Sequence, residues 1–175
     1  PGKRPGYCGH PEIELALFRL AAATGEKRFR DLAVFFLEHR GEGFFAQEHA
    51  EGFVADYDGT YFLDHAKLRD HRIITGHAVR ALYLLCAAAD LASLTGDASV
   101  LAMMDRVWQN ATLKRLFLTG GLGSSSLNEG FTNDYDLPNL SAYQESCASV
   151  AAAMWAHRLC LLRGDARYAD LMEQS

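Results

Sequence analysis

Apolar and polar positions along this chain fall into three similar units, each an apolar run, a break at Gly, and a second, striped run. Thr24-Gly25-Glu26 follows the apolar stretch Ile13 to Ala23, Thr95-Gly96-Asp97 follows Ala78 to Leu94, and Arg163-Gly164-Asp165 follows Ala148 to Leu162. The unit returns about every seventy residues, which reads as a structural repeat. In each unit the Gly suits the left-handed position just past a helix, and the acid after it suits the start of the next helix. A helix that is apolar nearly all round is buried, and one with a single apolar stripe lies outside it. Phe29, Leu32, Ala33 and Phe36 form such a stripe at i, i+3, i+4 and i+7, and Leu101, Met104, Trp108 and Ala111 repeat it less regularly. The pattern predicts an all-α fold of inner and outer helices, with three pairs making about half of an (α/α)6 toroid.

Two long linkers separate the units. Glu38 to Arg72 holds Gly41, Gly43, Gly52 and Gly59 among the aromatics Phe44, Phe45, Phe53, Tyr57, Tyr61 and Phe62, and Thr119 to Ser141 holds Gly120, Gly121, Gly123, Ser124 to Ser126 and Pro138. Linkers of this length inside a domain are usually functional. Each leads into the start of an inner helix, so the organisation places a site at the end of the toroid where the inner helices begin.

Composition narrows the class. The 175 residues are 49% hydrophobic and 22% charged with a formal net charge of -5, the balance of a globular domain. No Lys/Arg cluster is dense enough for a phosphate backbone, so nucleic acid is not expected as a partner. The longest apolar stretch, Ala81 to Leu94, is broken by Asp90 and Ser93, short of the roughly 18 apolar residues of a membrane span. Cys8, Cys86, Cys147 and Cys160 lie far apart and show no disulfide framework, which favours a reducing, cytoplasmic setting. Pro1-Gly2-Lys3-Arg4-Pro5 reads as a loop entered midway, and Leu171 to Ser175 stops within a helical pattern. Residues 1–175 are therefore expected to be part of one domain, with both ends cut and no second domain.

The chemistry concentrates between Asn128 and Ser149. Glu145 and Cys147 sit where the second linker becomes an inner helix. Two apart, they would point about 200° from each other on a regular helix. At an irregular first turn both can reach one ion, and zinc accepts carboxylate and thiolate together. The other reading of the pair is a helix-dipole acid and a small buried hydrophobe. Glu129, in a Gly-rich loop flanked by aromatics, is a candidate general acid/base or an ordinary loop acid. His10, in Gly9-His10-Pro11-Glu12, and His77, in Gly76-His77-Ala78, open the first and second inner helices at equivalent places. Either they are hydrogen-bonded structure or they face a ligand.

Taken together, the motifs are more specific than any one of them. Gly9-His10-Pro11-Glu12-Ile13-Glu14-Leu15-Ala16-Leu17, Gly76-His77-Ala78-Val79-Arg80-Ala81, Thr119-Gly120-Gly121-Leu122-Gly123, Glu129-Gly130-Phe131-Thr132, Asp134-Tyr135-Asp136-Leu137-Pro138-Asn139 and Ala142-Tyr143 with Glu145-Ser146-Cys147-Ala148-Ser149 come in this order from Gly9 to Ser149. They resemble the signatures of glycoside hydrolase family 127, the zinc-thiolate β-L-arabinofuranosidases. The resemblance implies a catalytic (α/α)6 toroid followed by β-sandwich modules, retaining hydrolysis of β-L-arabinofuranosides, and an arabinose-containing oligosaccharide or glycoconjugate as substrate. It implies Glu129 as acid/base, Glu145 and Cys147 as two of four Zn ligands, and His10 and His77 as sugar-binding residues. It further implies a zinc-held Cys thiolate as nucleophile.

One departure stands out. The family takes its nucleophile and remaining thiolate from an adjacent Cys pair downstream of Glu-x-Cys, and no such pair occurs in these 175 residues. The fragment alone is therefore expected neither to hold zinc tightly nor to hydrolyse a glycoside, and its uncovered inner helices favour association, including homo-oligomers. Two other readings stay open from the sequence. One is a different α/α-toroid sugar enzyme, an epimerase or unsaturated-uronide hydrolase, and the other is a non-catalytic carbohydrate-binding toroid.

Overall fold

Each of the three Gly breaks is a helix C-cap. Gly25, Gly96 and Gly164 have φ of 72°, 67° and 67°, and their N–H groups return to the carbonyls of Ala21, Ala92 and Cys160. The left-handed conformation favours Gly because it carries no Cβ. The acid that follows caps the next helix in two of the three units. Asp97 accepts from the Ser99 and Val100 amides and Asp165 from the Arg167 amide, whereas the Glu26 side chain makes no capping bond.

The structure is a computed structural model that describes residues 6–49 and 57–175, so the Pro1 to Pro5 run and Gly52 and Phe53 of the first linker lie outside the described residues. Its helices are α1 (Glu12–Thr24), α2 (Lys27–His39), α3 (Phe44–His49), α4 (Ala78–Thr95), α5 (Ala98–Asn110), α6 (Ser146–Arg163) and α7 (Ala166–Gln174). A 3-10 turn at Leu68–Asp70 packs on α5, and a π-helical turn at Ala111–Arg115 extends α5. Among the described residues β-structure is limited to isolated bridges. The pairs are α1 with α2, α4 with α5, and α6 with α7. The inner helices run side by side, α1 against α4 and α4 against α6. The fold is all-α, as expected.

One expectation about the helices is met and one corrected. Apolar composition marks the inner helices as buried, and half a toroid leaves some of them uncovered: only α4 is buried on both flanks. There every residue except Arg80, Tyr83, Asp90 and the last three is buried. By length and composition alone α4 would suit a membrane crossing, and packing against α1, α5 and α6 accounts for its apolar surface. α1 leaves Ile13 and Leu20 exposed, and α6 leaves Val150 and Leu161 exposed beside Cys147 and His157. Burial needs a neighbour on each side, and α1 and α6 pack on an inner helix on one side only. The stripe on α5 is also more regular than Leu101 suggested: Val100, Met103, Met104, Val107, Trp108 and Ala111 are buried, while Leu101 is partly exposed.

Aromatic side chains lock the third pair to the second. The rings of Trp108 and Trp155 meet edge-on at 5.1 Å, and Trp108 meets Tyr168 at 4.7 Å. Such pairs contribute roughly 0.5–1.5 kcal/mol beyond the area they bury. The first linker is fixed by two buried charges. The Asp64 carboxylate accepts from the Tyr7 hydroxyl and from the amides of Gly41, Gly43 and Phe45. The Arg40 guanidinium pairs with Glu14 at 2.9 Å and donates to the carbonyls of Cys8 and Phe62. This clamp fixes the segment that carries His10. All four cysteines are free, with Cys86 buried and Cys160 partly so.

Candidate active site

The two linkers meet at the start of α4. The loop Ser124 to Phe131 folds back as a small hairpin, with Gly130 exchanging backbone hydrogen bonds with Ser125. Its tip is stitched to α4: Ala78 N donates to the Glu129 carbonyl at 3.1 Å, and Phe131 N to the Gly76 carbonyl at 2.9 Å. The fit admits only glycine at its centre. A Cβ on Gly130 would lie 1.9 Å from the Gly76 carbonyl oxygen, and one on Gly76 would lie 2.0 Å from that of Thr60. Asp134 anchors the far side of the loop, accepting from Asn110, Lys114 and Arg115. Hydrogen bonds from Lys114 first, then from Asn110 and Arg115, hold its pKa down to about 2.

This docking puts Glu129 against His77, with Nε2 of the imidazole 2.9 Å from Oε2 of the carboxyl. Glu129 has φ of +50°, a costly conformation for a residue with a Cβ and a recurrent mark of functional positions. Burial first, and then the charge of Arg80, lowers the His77 pKa, while Glu129 pulls it the other way. Burial and then Arg80 also lower the His10 pKa. Both rings are therefore biased toward neutral imidazole. His10 stacks obliquely on Tyr83 at 5.7 Å and His77 edge-on against Tyr61 at 5.4 Å.

The Thr119-Gly120-Gly121-Leu122-Gly123 motif works on the third inner helix. Gln144 N donates to the Gly123 carbonyl at 3.0 Å, and the Gln144 side chain accepts from the Thr119 hydroxyl at 2.5 Å. A Cβ on Gly121 would sit 2.2 Å from that same side chain. Pinned this way, Gln144 adopts φ of +38°, which turns Tyr143 and Glu145 into the site. The Tyr143 hydroxyl lies 3.4 Å from Oε1 of Glu129 and 3.5 Å from Oε2 of Glu145. Glu145 is the residue just before α6, and its side chain makes no capping bond. Burial, and next the nearby Glu129, raises its pKa.

The structure thus joins His77, Glu129 and Glu145 through direct contacts and Tyr143. His10 is linked to His77 through the charge that each ring feels from Arg80, without a hydrogen bond to Glu129. Cys147 lies one residue into α6, exposed and free. Oε1 of Glu145 is buried without a hydrogen-bond partner, as are His10 Nδ1, His77 Nδ1, Asn128 Oδ1 and Arg80 Nε and Nη1. Buried polar atoms without partners are expensive, and their concentration here fits a surface built for a polar ligand. An orphaned carboxylate oxygen on Glu145 and a free thiol two residues on are donors of the kinds that zinc accepts. Among the described residues no group of three His, Cys, Asp or Glu is placed to hold a metal ion.

Sequence reasoning did not single out Tyr143, Arg80, Tyr61 or Tyr83. Arg80 and Tyr83 follow His77 at helical spacing, and they are the residues in the first half of α4 that escape burial. Arg80 lies over the rings of Tyr61 and Phe62 at 4.4 and 4.7 Å. A polar residue at i+3 from a candidate His on an otherwise apolar helix was the available signal.

Paired inner and outer helices, with the polar groups gathered where the inner helices begin, define an α/α-helical domain of the kind that hosts sugar chemistry in its loop end. Residues 1–175 match the family described as β-L-arabinofuranosidase, GH127 catalytic domain, and the chain belongs to that family. It is 40% identical over 185 aligned positions to a non-reducing end β-L-arabinofuranosidase of Bifidobacterium longum subsp. longum, covering 99% of this chain and 28% of that protein. A GH127 β-L-arabinofuranosidase from Geobacillus stearothermophilus T6 is similar in structure, with TM-score 0.92, 43% identity, and coverage of 99% of this chain and 28% of its own. A GH127 β-arabinofuranosidase gives TM-score 0.88 at 38% identity, covering 99% of this chain and 26% of its own. The chain thus spans little more than a quarter of the length of these relatives. Of the readings open from the sequence, the family supports the glycoside hydrolase.

Proposed function

We propose that this chain forms the acid/base wall of a retaining β-L-arabinofuranosidase whose remaining active-site residues lie outside these 175 positions. The observation that carries the reading is the Glu129 carboxyl held between His77 and Tyr143 at the mouth of the inner helices. A carboxyl so placed can protonate a departing glycosidic oxygen and then take a proton from water in the second half of a double displacement. His77 donates through Nε2 to the carboxylate form, which stabilises Glu129 after it has given up its proton. Neutral His10 and His77 each keep an unpartnered ring nitrogen for sugar hydroxyls. Glu145 and Cys147 would hold a zinc ion together with donors from outside this chain, and the ion, when bound, supplies the charge that keeps cysteine thiols ionised. The nucleophile of the reading is a thiolate from outside these 175 residues.

The test is Glu129→Gln in the full-length protein, assayed on an aryl β-L-arabinofuranoside and on an alkyl one. The expected loss on the alkyl glycoside is about 100- to 10,000-fold, with a much smaller loss where the aryl oxide leaves unaided. Equal losses on both substrates would sink the acid/base assignment. Zinc analysis of the full-length protein beside Cys147→Ser tests the metal reading, with about one ion per chain expected in the parent and less in the variant.

A further inference from the structure

The acid/base carboxyl has a second contact that the assigned roles leave unexplained. His77 reaches Oε2 of Glu129, and the Tyr143 hydroxyl reaches Oε1 from the other side. A glutamate held at one oxygen still swings about its stem, whereas one held at both is fixed in direction. The same hydroxyl lies as near to Oε2 of Glu145, so the phenol stands between the acid/base carboxyl and the metal-side carboxyl. It has one proton to donate and two acceptors that compete for it. Both separations are long for O–H···O bonds, as suits a contact that tightens when a sugar enters. The local backbone keeps the phenol in place, since Gln144 is pinned by Thr119 and Gly123 in a left-handed turn that fixes its neighbours on both sides.

We infer that Tyr143 is a positioning residue for the acid/base, its hydroxyl fixing the Glu129 carboxyl opposite His77 and coupling it to Glu145. The inference rests on the acid/base reading of Glu129. A phenol in this role acts on proton delivery alone, so its removal weakens cleavage of poor leaving groups more than of good ones. Occupancy of a metal at Glu145 and Cys147 does not depend on it.

The experiment compares Tyr143→Phe, Glu129→Gln and the parent in the full-length protein. Three readings are taken: kcat/KM on an alkyl and on a p-nitrophenyl β-L-arabinofuranoside, zinc content by elemental analysis, and thermal unfolding. The expected result for Tyr143→Phe is a loss of about 10-fold on the alkyl glycoside, the scale of one lost hydrogen bond. The aryl glycoside should lose no more than about 3-fold, with zinc content and Tm unchanged. A loss equal on the two glycosides, or a fall in zinc content, overturns the inference. Glu129→Gln separates the two levels of the argument. If it discriminates between the leaving groups and Tyr143→Phe does not, only the role of Tyr143 is wrong. If Glu129→Gln itself does not discriminate, the acid/base reading fails and takes this role with it.

Discussion

The two ends of the helix pairs place different demands on glycine. At the end where inner helices stop, Gly25, Gly96 and Gly164 have positive φ and open space around the position of a Cβ. At the end where inner helices start, Gly76, Gly120, Gly121 and Gly130 stand about 2 Å from another residue's atoms at the position a Cβ would take. The first set is needed for a backbone conformation alone, whereas the second is needed for room, and Gly76 and Gly120, with φ of 75° and 86°, for conformation as well. The turn end is short and regular, and its Asp97 and Asp165 caps are made. The loop end carries the left-handed Glu129 and Gln144 and the orphaned polar atoms of His10, His77, Arg80, Asn128 and Glu145. Strain and unsatisfied groups gather where a ligand would meet them, and the ideal geometry is left to the turns that only connect.

That contrast can be broken in measurable steps. The largest effect should come from Arg40→Met, which leaves the Glu14 carboxylate fully buried without its partner. A loss of about 3–5 kcal/mol is expected by chemical denaturation, because an uncompensated buried charge remains. A loss below about 1 kcal/mol would mean that the clamp is dispensable. Next is Gly130→Ala, where the added methyl meets backbone and cannot be accommodated by a side-chain rotation. About 3 kcal/mol of stability should disappear, together with most of the activity, since the hairpin that presents Glu129 must lift from α4. Wild-type stability in this variant would show that the hairpin docks loosely.

At the turn end, Gly96→Ala should cost only about 1 kcal/mol, the strain of a left-handed residue with a Cβ, and Gly96→Asn less still, with activity retained. If Gly96→Ala hurt as much as Gly130→Ala, the distinction between the two ends would fall.

The smallest expected effect is on acid stability. Asp134 has its pKa lowered from 3.8 to about 2 in the folded chain. Its contribution is therefore complete above the ordinary value and is lost as pH falls through about 2. Asp134→Asn should flatten the pH dependence of stability in that window, and an unchanged acid limb would detach Asp134 from the stability of the loop.

Legibility in the sequence followed the same division. The Gly-acid breaks and apolar runs gave the inner helices to within two residues at their ends, because a cap and a period are local properties. Glu129, Glu145, Cys147, His10 and His77 came from motifs, and the structure brings them to one end of the fold. What the chain did not disclose was contact across linkers. That Gly130 presses on Gly76, or that Gln144 is pinned by Thr119, depends on close approach between segments about 25 to 55 residues apart, and neither spacing nor propensity records such an approach. Tyr143 stood in a motif without a role for that reason. Its meaning lies in standing between two acids, one of which is fourteen residues away in sequence. That inner helices of half a toroid stay uncovered was expected, but which flanks remain open was not legible, because composition reports what a helix can bury and the neighbours present decide what it does bury.

The pairwise packing of the wall also bears on how the chain takes shape. Each inner helix packs on the outer helix joined to it by a short turn, and each pair packs on the preceding pair through the inner helices. Contacts within a pair are local, whereas those between inner helices join segments more than fifty residues apart, so the entropy of loop closure falls on the docking of one pair on the next. At every stage of such growth the newest inner helix has one bare flank. In these residues that helix is α6, with Cys147, Val150, His157 and Leu161 turned outward. A chain held at that stage presents this stripe, with its free thiol, to whatever apolar surface it meets.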